Sequence, residues 1–173
     1  LVYNLIKFPV SKYESIYRPR RLKTGTPYQT YSALFSFEFV CHLAGQVAAD
    51  ACGGPPFKIG IIAPYRAQAN IVNKLVDAWD HRPDGVAVQV GTIHGFQGDE
   101  CDAIIAVSNP PPNISANPQM FLNRHNILNV AISRARDYLF ILMPDERTEN
   151  IQNLQKVSMI ERLVKERVGA YSE

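Results

Sequence analysis

Two hydrophobic periods divide this chain into elements. Residues 1–8 (LVYNLIKF) form an apolar, β-leaning run closed by Pro9, and they predict a strand. From residue 36 to about 52 the period becomes helical: Phe39, Val40, Leu43, Val47 and Ala51 recur at three- and four-residue steps. Ser36 is the expected N-cap, and Gly53-Gly54-Pro55-Pro56 stops the helix. Residues 57–63 (FKIGIIA) predict a short buried strand that Pro64 ends. Residues 65–79 return to the helical period, with Ile71, Val72, Leu75, Val76 and Trp79 on one stripe. After a turn at residues 81–85, residues 88–107 read as a strand, a glycine-punctuated polar loop (92–102) and a second strand. A proline-rich loop, a helix over about 123–134, a strand over 138–143 and an amphipathic helix over about 149–168 complete the pattern.

Short apolar strands that look buried on both faces, alternating with helices, predict an α/β fold with a mostly parallel sheet and right-handed crossovers. Ligands of such folds bind outside the carboxyl ends of the strands. The polar loops after Ala63, Val90 and Met143 are expected on that edge. Residues 11–30 follow neither period and read as a surface loop or insertion. They carry Lys12, Arg18, Arg20, Arg21 and Lys23 against one acid, Glu14, with Tyr13, Tyr17, Tyr28 and Tyr31 around them. Either they touch phosphates and stack on bases, or they are a solvated basic loop.

Composition narrows the classes. A chain of 173 residues, 46% hydrophobic and 20% charged, fits one globular domain with a sizeable core. A net charge of +2 does not announce a nucleic-acid binder, so such a role must rest on local patches. Cys41, Cys52 and Cys101 are odd in number, with no CxxC pair, and read as reduced thiols of a cytoplasmic or otherwise intracellular protein. No apolar run reaches the roughly 18 residues of a membrane helix. The first residue is Leu1 rather than Met, which leads us to expect a domain of a longer protein.

The phosphate-binding signature G-x-x-x-x-G-K-[ST] needs a glycine followed by lysine, and this chain has none. A self-sufficient NTPase is therefore not expected. The apolar strand ending at Pro144-Asp145-Glu146 mimics a Mg²⁺-binding Asp-Glu but reads as a strand running into a solvated turn. Gly91, Gly95 and Gly98 have the wrong spacing for a dinucleotide site, and no helix follows them. In residues 128–136 (LNVAISRAR), Arg134 and Arg136 are two apart and do not share a helix face. One could reach a γ-phosphate while the other holds a loop by an ion pair. Alternatively, both pair at the surface with Asp99, Glu100 or Asp137.

Three stretches, in order, shift that balance: IGIIAPYRAQ (59–68), VGTIHGFQGDECDAII (90–105) and LNVAISRAR (128–136). Together they resemble motifs IV, V and VI of superfamily 1 helicases, in the branch containing the nonsense-mediated-decay RNA helicase and Dna2-type enzymes. The resemblance implies a second RecA-like domain spanning residues 1–173, working with an N-terminal RecA-like domain that would hold most of the ATP and Mg²⁺. It implies that Arg134 is the catalytic arginine finger. Gln97, Gly98 and Glu100 would sit with it at the nucleotide. Pro64, Tyr65, Arg66, Gln68, Thr92 and His94 would line a track for single-stranded DNA or RNA. The polar loop of residues 92–102 would then meet nucleic acid on its entry side and ATP on its exit side.

Two positions depart from the family pattern. Phe35 stands where many members carry a second phosphate-sensing arginine ahead of the Glu that Glu38 matches, and Ala63 replaces a common hydroxyl residue. A non-catalytic nucleic-acid-binding or regulatory module that kept the fold is the alternative reading. A free-standing small-molecule enzyme is a third, with no nucleophile–base pair to support it.

Overall fold

The computed structural model describes residues 2–8, 20–21, 27–50, 54–96, 100–108, 126–145 and 159. The strands are β1 (Val2–Phe8), β2 (Arg20–Arg21), β3 (Pro27–Tyr28), β4 (Phe57–Ala63), β5 (Val86–Thr92), β6 (Cys101–Val107) and β7 (Ala135–Pro144). The helices are α1 (Thr30–Asp50), α2 (Arg66–Asp77) and α3 (Asn126–Arg134), and a 3₁₀ turn covers Ile93–Phe96.

Five strands pair in the order β1-β7-β6-β4-β5, every pairing parallel. The expected α/β architecture with a parallel sheet is what forms. Alternation along each strand feeds two cores. Ile59 and Ile61 of β4, Ile105 and Val107 of β6 and Leu142 of β7 share one core with Val40 and Ala44 of α1 and Val72 and Val76 of α2. Ile62, Ile104, Leu139, Ile141 and Met143 share the other with Ala131 of α3 and with Ile93 and Phe96 of the 3₁₀ turn. Burial on both faces is why these strands read as unbroken apolar runs.

Helix α1 begins at Thr30 rather than at Ser36. Ser36 is fully buried inside it, and its hydroxyl donates to the Ala33 carbonyl at 2.9 Å. The rings of Tyr31 and Phe35 pack on Phe8 of β1, at 6.1 and 5.6 Å, and this contact extends the helix beyond its periodic segment. Of residues 11–30, Arg20–Arg21 and Pro27–Tyr28 form a short antiparallel pair. Residues 11–19, 22–26 and 97–99, and the helix expected at 149–168 except Met159, lie outside the described residues.

One relationship differs from the simple strand–loop–strand expected of residues 88–107. Strands β5 and β6 are parallel and not neighbours, because β4 lies between them. The connection must therefore return from the carboxyl edge of the sheet to its amino edge across the sheet's face. Gly60 and Gly91 make room for it. A Cβ at Gly60 would lie 2.8 Å from Phe96 Cε1, and one at Gly91 would lie 3.0 Å from Phe96 Cε2.

Candidate functional site

The expected site residues fall on two opposite edges of the sheet. At the carboxyl edge, Ala63 of β4 is the register partner of Thr92 of β5. This pairing puts the Pro64–Tyr65 turn beside the start of the Ile93–Phe96 turn. Pro64 is buried, Tyr65 and Thr92 are half-buried, and Arg66 and His94 are exposed. Tyr65 is the N-cap of α2 in extended conformation and makes no side-chain cap, so Arg66 stands in an open first turn. Backbone amides and a cation at a helix start suit a phosphate backbone.

Gln68 does not join that surface. It is fully buried, its Oε1 accepts the Gln29 backbone amide at 2.8 Å, and its Nε2 donates to the Ser32 hydroxyl at 3.0 Å. Its amide thus ties α2 to the start of α1. The signal was in the sequence: Gln68 precedes Val72 by four residues and so shares its buried face.

At the amino edge, Cys101 of β6 pairs with Ala135 of β7, so Glu100 and Arg134, the residues just before them, become neighbours. Glu100 is exposed and Arg134 is half-buried. Arg134 Nε is buried with no hydrogen-bond partner among the described residues. A buried unsatisfied donor is costly, and a charged acceptor relieves that cost most. The donor set at this edge therefore fits an anionic group. Gln97 and Gly98 lie outside the described residues. Arg136 has a different setting: its guanidinium pairs with Asp102, and its Nε donates to Asp137 at 3.4 Å. A cleft of about 560 Å³ opens here, with Lys58, Gln89, Glu100 and Arg136 on its walls.

The carboxyl-edge rule for α/β ligand sites thus covers only half of the expected residues; Glu100 and Arg134 are at the other edge. Asp102 and Lys58 were not singled out from the sequence. An acid at the first step of an otherwise apolar strand was the available signal for Asp102.

A sequence profile of an AAA domain family matches residues 16–146. The chain belongs to this AAA domain family. The AAA domain is similar over 90 residues to the human DNA replication ATP-dependent helicase/nuclease DNA2, at 39% identity, covering 52% of this chain and 8% of that protein. It is 33% identical over 105 residues to the DNA polymerase alpha-associated DNA helicase A of Saccharomyces cerevisiae, covering 59% and 13%. To the putative helicase mov-10-B.2 of Danio rerio it is 33% identical over 95 residues, covering 50% and 9%. The chain thus spans only about a tenth of the length of these relatives. The parallel sheet accords with these likenesses to proteins named as helicases. Among the described residues, no helix is long and apolar enough to cross a membrane, and no three His, Cys, Asp or Glu side chains cluster as a metal site.

Proposed function

We propose that this AAA domain is the second RecA-like half of an ATP-driven superfamily 1 helicase or translocase, completed by an N-terminal RecA-like domain of the same protein. The pairing of Cys101 with Ala135 carries the reading, because it joins the motif V stretch to the end of the motif VI stretch. ATP would supply the phosphoryl group transferred to water. Arg134 would donate to charge developing on the terminal phosphate, with Glu100 beside it. A planar, permanently charged donor suits that task. Mg²⁺ would be held mainly by the other domain.

The carboxyl edge would hold the nucleic acid. Pro64, Tyr65 and Arg66 with Thr92 and His94 would grip phosphates without reading bases. The Ile93–Phe96 turn packs against α3, β4 and β5, and the loop of residues 92–102 would couple the two edges. Domain closure at the amino edge would then move the strand grip, a hinge cycle between two domains. The isolated domain would hydrolyse no ATP. The test is nucleic-acid-stimulated ATP hydrolysis by the full-length protein with Arg134→Ala, which should cut turnover on the order of 10³-fold or more and spare single-strand binding. Its loss of turnover would also exclude the non-catalytic module, to which Phe35, half-buried against Phe8 in place of an arginine, lends support.

A further inference from the structure

Asp102 holds an irregularity on which the amino edge depends. Cys101 stands opposite Ala135, but Ala103 stands opposite Tyr138. Asp102 therefore faces two residues of β7, Arg136 and Asp137, and the pairing slips there as in a β-bulge. Regular alternation would put Cys101 and Ile104 on opposite faces, yet both pack in the same core. The slip thus sets where the chain stands just before β6 and β7, at Glu100 and Arg134.

Asp102 is 6% exposed, and its carboxylate holds one hydrogen bond and one ion pair. Oδ2 accepts the Lys58 backbone amide at 2.7 Å, and Oδ1 meets the Arg136 guanidinium. One buried acid thereby binds the amino ends of β4, β6 and β7. Without partners it would carry a heavy desolvation cost, so the tie is specific. Arg134 makes no such contact: its Nε is buried without a partner among the described residues.

We propose that Asp102 is a positioning residue for Arg134: by clamping Arg136 and the Lys58 amide it fixes the strand slip that sets Arg134 beside Glu100. This rests on the arginine-finger reading above. Arg136 then serves the finger by holding the acid rather than by reaching phosphate.

The test uses the full-length protein with Asp102→Asn, Arg136→Gln and Arg136→Lys, alone and on the Arg134→Ala background. Displacing a catalytic group by about 1 Å costs on the order of 100-fold in rate. Asp102→Asn and Arg136→Gln should each lower kcat of ATP hydrolysis to about that extent. KM for ATP and single-strand affinity should stay within about twofold. Arg136→Lys, which keeps the charge, should recover part of the rate. Neither change should lower the residual rate of Arg134→Ala. If Asp102→Asn fails to fold, Arg136→Gln decides, since that side chain is 65% exposed and the Lys58 amide still holds Asp102. A normal kcat in Arg136→Gln, or a further loss on the Arg134→Ala background, overturns the positioning role. Normal hydrolysis by Arg134→Ala itself overturns the finger reading instead.

Discussion

The ring of Phe96 lies on Gly91: a Cβ at that glycine would stand 3.0 Å from Phe96 Cε2 and 3.1 Å from Cδ2. Gly60 lies closer still beneath it, where a Cβ would meet Ile104 Cδ1 at 2.6 Å and Phe96 Cε1 at 2.8 Å. Phe96 and Ile104 are fully buried, so neither yields freely. Overpacking of this kind typically costs about 1–3 kcal/mol. Gly60→Ala should fall at the upper end of that range and Gly91→Ala at the lower end. Urea unfolding midpoints compare the two, and equal midpoints would show that the ring is not seated as described.

Gln68 and Arg66 separate stability from grip. Gln68→Ala removes the acceptor of the buried Gln29 backbone amide, while the Ser32 hydroxyl keeps its bond to the Gln29 carbonyl at 3.2 Å. An unsatisfied buried group costs about 1–3 kcal/mol, so this variant should unfold earlier. Its dependence of single-strand affinity on salt should not change. Arg66→Ala should do the reverse: nearly unchanged stability, with the slope of log affinity against log salt reduced by about one. A steep loss of salt dependence in Gln68→Ala would return that residue to the nucleic-acid surface.

Cys41 gives a pH signature. Burial first, and the charge of Glu38 second, push its thiol above the ordinary value of about 9.0. A raised folded-state value means the folded chain holds the proton more tightly than the unfolded chain. The stabilisation is therefore full below about pH 9 and is lost as pH rises through the folded value. Stability of the wild type should fall on the alkaline side by more than that of Cys41→Ser. Parallel alkaline profiles would contradict the assignment.

Much of the fold was legible because period and burial agree. β4 and β6 are apolar at nearly every step because both faces are covered, and α2 shows its buried stripe plainly. The start of α1 was not legible, because the contacts of Tyr31 and Phe35 with Phe8 join residues far apart in sequence. The site was legible as types and not as places. Arg134, Glu100, Thr92 and Pro64 stand out along the chain, but only strand order reveals that they occupy opposite edges. Asp102 was missed because its partners, the Lys58 amide and Arg136, come from two other strands.

In the proposed motor, Arg134 acts on ATP from the amino edge while Thr92 and the Pro64–Tyr65 turn hold nucleic acid at the other. The most direct measurement is steady-state ATP hydrolysis by the full-length protein with and without single-stranded nucleic acid, wild type against Arg134→Ala. Stimulated kcat should fall on the order of 10³-fold or more, with single-strand affinity nearly unchanged. Hydrolysis near the wild-type rate in Arg134→Ala would contradict that role of Arg134.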